Sequence, residues 1–306
     1  MKNYNKIIEN FWNKEVTNFY EDTPSEYLYK FFSKIKNRAS KKVLDVGCGA
    51  GRNALMIQKL GYEIYSCDSN KKMVMATKER LPLKVRKNIT VSDMTSLSYE
   101  DNTFDYVVSN GVFHNALNFK DFCSSVKESS RILKNNGCLV LNIFTFGDLK
   151  GEFIKGGVEK YFYLTKDSLP IILLPTIDLI RILSENNFIL SSFEENYVTV
   201  STGKRKIFKG IFIKLDNTKS KDISLHNFRI LIDYLDKDIL KLLSQRVNLV
   251  KNISEYKKKR GLPFSDYKRE KEIKDNLFYF SKLEKLVFDG KEVEGIVNFL
   301  LKTSKK

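Results

Sequence analysis

Proline and glycine are scarce in this chain, 5 and 15 of 306 residues, which excludes collagen-like, elastic and broadly disordered material. Long apolar runs are missing as well. No stretch approaches the roughly 18 to 20 residues of a membrane span, and the opening MKNYNKIIENFWNKE has neither the apolar core nor the small-residue cleavage site of an export signal. A cytoplasmic protein is expected. The four cysteines, Cys48, Cys67, Cys123 and Cys138, match no disulfide framework and no paired zinc-ligand spacing, so they are expected to be reduced thiols with no metal bound. Acidic residues are in deficit, 37 against 53 Lys and Arg, for a formal charge of +16. The lysines are dispersed and form no basic arm with interleaved aromatics, which favours anionic small molecules over nucleic acid. What remains, 42% hydrophobic and 12% aromatic, fills ordinary cores, and the length suits about two domains at roughly 100 to 200 residues each.

The first two thirds alternates short apolar runs with amphipathic stretches: KKVLDVGCG, ALMIQKLGY, EIYSCDSN, NITVSDM, FDYVVSNGVFH and GCLVLNIFTF. Strand and helix in repetition predict a mostly parallel sheet covered by helices, a Rossmann-like α/β domain. FILSSFEENYVTVS and KIFKGIFIKL read as a closing antiparallel pair. The polar, aperiodic LDNTKSKDIS reads as a linker, and everything after it is helix-like. The organisation expected is an α/β domain over 1–215 with an N-terminal helical lid, a linker over 216–224, and an all-α three-helix domain over 225–306.

Val43 to Val46 form a strand that enters Gly47, Cys48, Gly49, Ala50 and Gly51 before a helix opens at Arg52. Alternate glycines allow a tight turn and close approach to a ligand, with the unpaired N–H groups of the helix start nearby. Such turns also arise for packing alone. Seventeen residues after Gly51 the next strand ends in Asp68, a carboxylate able to accept both hydroxyls of a ribose. A third strand ends at Asp93, placed to meet an adenine edge.

Asp45, Gly47, Gly49, Gly51, Asp68, Asp93 and the FDYVVSNGVFH segment together resemble the class I S-adenosylmethionine-dependent methyltransferases, over roughly residues 40–213. The D-x-G-x-G-x-G form does not fit the dinucleotide fingerprint G-x-G-x-x-G, which leaves a NAD enzyme as the alternative. The resemblance implies S-adenosyl-L-methionine as cofactor: Gly47, Gly49 and Gly51 approach its methionine part, Asp68 holds the ribose, and Asp93 with Met94 flanks the adenine. His114, after the fourth strand, is either a base for an O–H or N–H nucleophile or a packing group against the cofactor. Trp12, Tyr20 and Tyr27 lie in an aromatic stretch that lids the site in relatives, and a core-facing helix explains them equally. No proline-asparagine dipeptide follows the fourth strand, which speaks against a DNA or protein amide and for a small-molecule acceptor.

In the last third Leu225, Phe228, Ile232, Leu235, Ile239, Leu242, Leu249 and Ile253 mark one long helical seam. Arg246 occupies a seam position, where an unpaired buried cation costs several kcal/mol, so an anion is expected to meet it. Lys257 follows eleven residues later on nearly the same face, and Arg229 precedes by seventeen. Gly261 and Pro263 end that helix, a second starts near Ser265 or Asp266, and a third runs from about Lys291.

The pattern F-R-x-x-I-D-x-L-D, L-L-x-x-R, Y-K-K-K-R-G-L-P and D-x-x-R-E resembles the all-helical, type II chorismate mutases, over about residues 222–306. The resemblance implies that Arg229 and Arg246 clamp two carboxylates, Lys257 donates to the ether oxygen, Glu270 takes the ring hydroxyl, and Asp266 and Arg269 order that end. Ser304 matches the family's serine in the last helix, and the Gln or Glu expected one turn later falls beyond Lys306. The expected activity is therefore methyl transfer joined to conversion of chorismate to prephenate; the alternative is methyl transfer with a mutase-like domain for dimerisation or sensing. A homodimer through the C-terminal helices is expected, because seventeen helical residues span about 25 Å, too far for one small ligand to meet Arg229 and Arg246 of the same helix.

Overall fold

The computed structural model describes residues 4–147, 154–155, 159–165, 168–200, 203–216, 222–263, 267–284 and 286–303. Its contacts divide the chain into two compact units, Met1–Leu231 and Ile232–Lys306.

The first unit opens with α1 (Tyr4–Glu21) and α2 (Glu26–Ser33), then β1 (Lys42–Val46), α3 (Arg52–Lys59), β2 (Glu63–Asp68), α4 (Lys71–Arg80), β3 (Ile89–Val91), β4 (Phe104–Asn110), α5 (Phe119–Ile132) and β5 (Leu133–Thr145). There follow β6 (Ile154–Lys155), β7 (Phe162–Leu164), β8 (Pro170–Ile172), α6 (Thr176–Glu185), β9 (Phe188–Val200) and β10 (Gly203–Lys214). Seven strands form one sheet in the order β3-β2-β1-β4-β5-β10-β9. The first five are parallel, and β10 and β9 close the edge antiparallel as the sequence predicts. Both faces are buried, which is why β1 reads as a nearly unbroken apolar run. Leu44, Val46, Val107, Leu141 and Phe208 face one core, together with Phe122 of α5 and Leu183 of α6. Val43, Ile64, Val108 and Val140 face the other, under Leu28 and Phe32 of α2 and Ile57 of α3.

Strand order turns back between β1 and β4, and in open α/β sheets that switch point is where the carboxyl ends of the strands open a crevice. Two details differ from the sequence reading. The third strand stops at Val91, leaving Asp93 in an isolated bridge to Ser96. A small sheet, β6-β7-β8, occupies the connection between β5 and α6, where no element was expected.

α7 (Ile223–Lys259) begins in the first unit. Asn227 is fully buried there: its Oδ1 accepts the Leu190 amide at 2.7 Å and its Nδ2 donates to Ser184 Oγ and the Phe188 carbonyl, both at 2.9 Å.

The second unit is all helix: the rest of α7, α8 (Tyr267–Leu283) and α9 (Gly290–Thr303). α7 stops just before Gly261, whose φ of 64° suits the left-handed helix ending. Asp289 and Glu292 cap α9 reciprocally, each side chain accepting the other's amide at 2.8 Å. Ile232, Leu235, Ile239, Leu242, Leu249 and Ile253, the seam read from the sequence, are 54–64% exposed. Among the described residues of this unit, the buried apolar side chains are Val293 and Val297.

Candidate functional site

The turn after β1 is held from three sides. Gly47 has φ of +65°, and a Cβ there would lie 2.5 Å from both methyls of Val112; Gly51, at +79°, would press on Thr77 at 2.9 Å. No side chain fits either position. The Gly49 amide donates to Asp68 Oδ2 at 3.0 Å, and Thr77 Oγ1 of α4 donates to the Gly49 carbonyl at 2.7 Å. Asp68 Oδ1 accepts the Asn70 amide at 2.8 Å, while the Asn70 side chain caps α4 by accepting from Lys72 and Met73. Burial raises the carboxyl of Asp68 above its ordinary range, and the Asn70 and Gly49 amides oppose that rise.

Asp45 is 1% exposed, and its Oδ2 has no hydrogen-bond partner. Burial first, and then the charge of Asp68, push it up to about 7. Ser66, its register partner on β2, is also buried with an unpartnered hydroxyl. Orphaned polar atoms are uncommon in native interiors, and these two flank the glycine turn at the switch point. That donor and acceptor set, with the narrow glycine backbone, fits a polar ligand laid across the ends of β1 and β2.

α1 closes one side. Trp12 and Val16 pack on Ala50, Met73 and Ala76, and Asn70 Nδ2 donates to Asn13 Oδ1 at 3.1 Å. Trp12 thus lies where a lid would; the Tyr20 side chain is outside the described residues. Tyr27 of α2 is half-buried with an unpartnered hydroxyl, its ring 5.5 Å from the Lys209 ammonium. Asp93 is exposed, its Oδ1 accepting the amide and hydroxyl of Thr95 at 2.8 and 2.7 Å, and Met94 is half-buried against the core.

His114 sits in a short 3₁₀ turn (Phe113–Asn115) and is 3% exposed. Its Nδ1 accepts the Phe144 amide at 3.3 Å, and its ring lies 4.4 Å from that of Phe144. Burial, with the charge of Arg205 adding to it, lowers the imidazole to about 3, so the ring is neutral. Sequence reasoning missed Asn70, Thr77 and Arg205. Asn70 carries a legible helix-cap signal just before α4, whereas nothing in KRK distinguishes the buried Arg205 from its exposed neighbour Lys204.

In the second unit Arg246 is half-buried, and its guanidinium donates to the Leu300 carbonyl at 2.7 Å and to Thr303 Oγ1 at 3.3 Å. It thus satisfies a carbonyl in the last turn of α9, where backbone acceptors lack helical partners. Beside it a cavity of about 210 Å³ is lined by Val247, Val250, Lys251, Ser254, Glu255 and Thr303. Lys257 and Glu270 are half-buried, and Arg269 is exposed and bonded to Glu272 at 3.2 Å. Asp266 and Ser304 lie outside the described residues. Arg229 is exposed on the first turns of α7.

Comparison with known proteins matches residues 44–141 to the family model "Methyltransferase domain" and residues 228–306 to "Chorismate mutase type II". The chain is similar to an uncharacterised methyltransferase, YcgJ, of Bacillus subtilis (32% identity over 34% of this chain and 41% of that protein). It is also similar to a probable S-adenosyl-L-methionine-dependent methyltransferase, TehB, of Haemophilus influenzae (37% over 24% of this chain and 25% of that protein). The chain thus spans less than half the length of these relatives. Among solved structures, a SAM-dependent methyltransferase of Methanosarcina mazei shares the fold with a TM-score of 0.53 and 22% identity, covering 63% of this chain and 99% of that one.

Proposed function

The chain joins a methyltransferase domain to a chorismate mutase type II domain, and from that premise we propose that it transfers a methyl group from S-adenosyl-L-methionine to a small acceptor and binds chorismate, or a close dicarboxylate, in its helical domain. The observation that supports the first half is the glycine turn fastened to Asp68 beside the orphaned Asp45 and Ser66. When bound, the cofactor supplies a methyl group on a sulfonium, already an excellent electrophile. Gly47, Gly49 and Gly51 let the backbone reach the methionine part, Asp68 accepts from the ribose, and Asp93 and Met94 border the base. What the chain adds is mainly positioning. Calorimetric titration with S-adenosyl-L-methionine and with NAD tests this reading, with binding of the first and not the second expected.

In the proposed mutase site Arg246 and Lys257, with Arg229 from the first turns of α7, supply cations for two carboxylates and for negative charge growing on an ether oxygen, and Asp266, Arg269 and Glu270 complete the ring-hydroxyl end. The rearrangement of chorismate to prephenate needs no proton transfer, only a compact conformer and fixed positive charge. We propose a homodimer through the C-terminal helices, which supplies Arg229 from the second subunit. The bare seam from Ile232 to Ile253 supports it, since exposed apolar stripes of this length mark association surfaces. One observation favours a second reading, a domain for dimerisation or sensing without turnover: the Arg246 guanidinium already braces the end of α9. Loss of chorismate absorbance on adding the purified chain, with prephenate formed, separates the two. An enzyme acting on small cytoplasmic metabolites, which the dispersed charge favours over nucleic acid as partners, completes the proposal; among the described residues no helix is long and apolar enough to cross a membrane.

A further inference from the structure

Three elements around the glycine turn meet at one residue, Asn70. Its backbone amide donates to Asp68 Oδ1 at 2.8 Å, at the end of β2. Its side-chain Oδ1 accepts the amides of Lys72 and Met73 at 2.9 and 3.2 Å, which caps α4. With Oδ1 committed to those donors, the side chain is fixed and Nδ2 faces the other way. There it donates to Asn13 Oδ1, in the middle of α1, at 3.1 Å. The same stretch of α1 rests on the turn itself, since Trp12 and Val16 pack on Ala50 as well as on Met73 and Ala76 of α4. A second clamp holds the far end: Asp22, just past α1, forms an ion pair with Arg52, the first residue of α3. Both clamps therefore land on the starts of the helices that follow β1 and β2. Asp68 is fixed from the turn as well, by the Gly49 amide on Oδ2 at 3.0 Å. Lifting α1 releases the Asn70 side chain, and moving Asp68 pulls on the Asn70 amide.

We propose that Asn70 is a positioning residue that couples the docking of α1 to Asp68, so that a cofactor held by Asp68 keeps α1 on the glycine turn and a docked α1 retains the cofactor. The inference rests on the methyltransferase reading and adds what controls cofactor retention. Coupling of this kind is reciprocal: whatever cofactor binding contributes to docking of α1, docking returns to cofactor affinity. Loss of the link falls mainly on the dissociation rate. Asn70 acts through Asp68 and not on the reacting methyl group.

Trp12 is the single tryptophan of the chain, so its fluorescence reports the docking of α1 in the intact protein. The test measures acrylamide quenching of that fluorescence, together with the affinity and dissociation rate of S-adenosylhomocysteine, in the full chain. In wild type, saturating S-adenosylhomocysteine should lower the quenching constant. Asn13→Ala removes the acceptor on α1 and leaves Asn70 capping α4 and bonded to Asp68. Asn70→Ser keeps a capping oxygen and removes the amide that Asn13 accepts. Each should weaken S-adenosylhomocysteine binding about three- to tenfold, the scale of one hydrogen bond, through faster dissociation, and the drop in quenching should shrink. Should Asn70→Ser fail to fold, Asn13→Ala decides. A bond that only stabilises the fold would raise quenching in Asn13→Ala and leave S-adenosylhomocysteine affinity and dissociation unchanged. That result, or wild-type quenching that is the same with and without S-adenosylhomocysteine, would overturn the proposal. A chain that bound no S-adenosylhomocysteine would instead overturn the methyltransferase reading beneath it.

Discussion

The backbone nitrogen of Gly49 lies 3.0 Å from Oδ2 of Asp68, so the turn after β1 and the end of β2 are fastened to each other by the carboxylate proposed to hold the ribose. Truncating Asp68 should therefore act twice. Asp68→Ala is expected to weaken S-adenosyl-L-methionine binding by about 1.5 to 3 kcal/mol through the lost charge-assisted acceptor. It should also lower the melting temperature, since the Gly49 and Asn70 amides lose their partner. Calorimetry and a thermal melt read the two effects separately; unchanged affinity would remove Asp68 from the site.

Gly47→Ala should be among the most damaging single-methyl changes in the first domain. The new Cβ meets Val112 at 2.5 Å and the backbone must stay at φ of +65°, for a combined cost of about 2 to 4 kcal/mol. Val112→Ala in the same chain should recover part of that loss, because it removes the clash and leaves the dihedral strain. Denaturant titration of the three variants measures the split.

The pH dependence of stability should carry the mark of Asp45. Its carboxyl stands at about 7 in the folded chain, against an ordinary value of 3.8. Between these values the folded state holds the proton and the unfolded state does not, so this group's contribution falls as pH rises from about 4 to 7. His114, lowered to about 3 from 6.5, acts in the opposite sense, its contribution rising with pH through the same window. The comparison that isolates Asp45 is therefore wild type against Asp45→Asn: the variant should gain on wild type from pH 5 to about pH 7 and little more above it. A constant difference in melting temperature over that range would show that Asp45 is ionised throughout.

Arg246→Leu should abolish chorismate binding while shifting stability by no more than about 1.5 kcal/mol. It loses hydrogen bonds to the Leu300 carbonyl and Thr303, and an apolar side chain on the seam offsets part of that loss. Full retention of chorismate binding would assign Arg246 to bracing α9 alone.

The proposed dimer has a complementation test. Arg229→Ala and Arg246→Ala proteins, mixed under conditions of subunit exchange, should regain chorismate binding or turnover through heterodimers with one intact site. Separately, Ile239→Glu with Leu242→Glu, both on the bare seam, should give a monomer by light scattering. A wild-type monomer that bound chorismate would end the shared-site argument.

The sequence by itself determined whatever depends on near neighbours in the chain. Strand and helix alternation, the glycine turn with Asp68 one strand later, the closing antiparallel pair and the three-four spacing of α7 are all periodic or short-range, and each is present in the structure. Tertiary structure decided what depends on residues far apart. The proton of His114 is placed by an amide thirty residues later, the guanidinium of Arg246 is engaged by a carbonyl fifty-four residues away, and Asp45 is raised by the burial that α2 and α3 complete. The β6-β7-β8 sheet escaped because strands of two or three residues are too short to show a period. Pattern records which face of an element is apolar, whereas the charge state and partner of a buried polar group are set by desolvation and by atoms that only folding brings near.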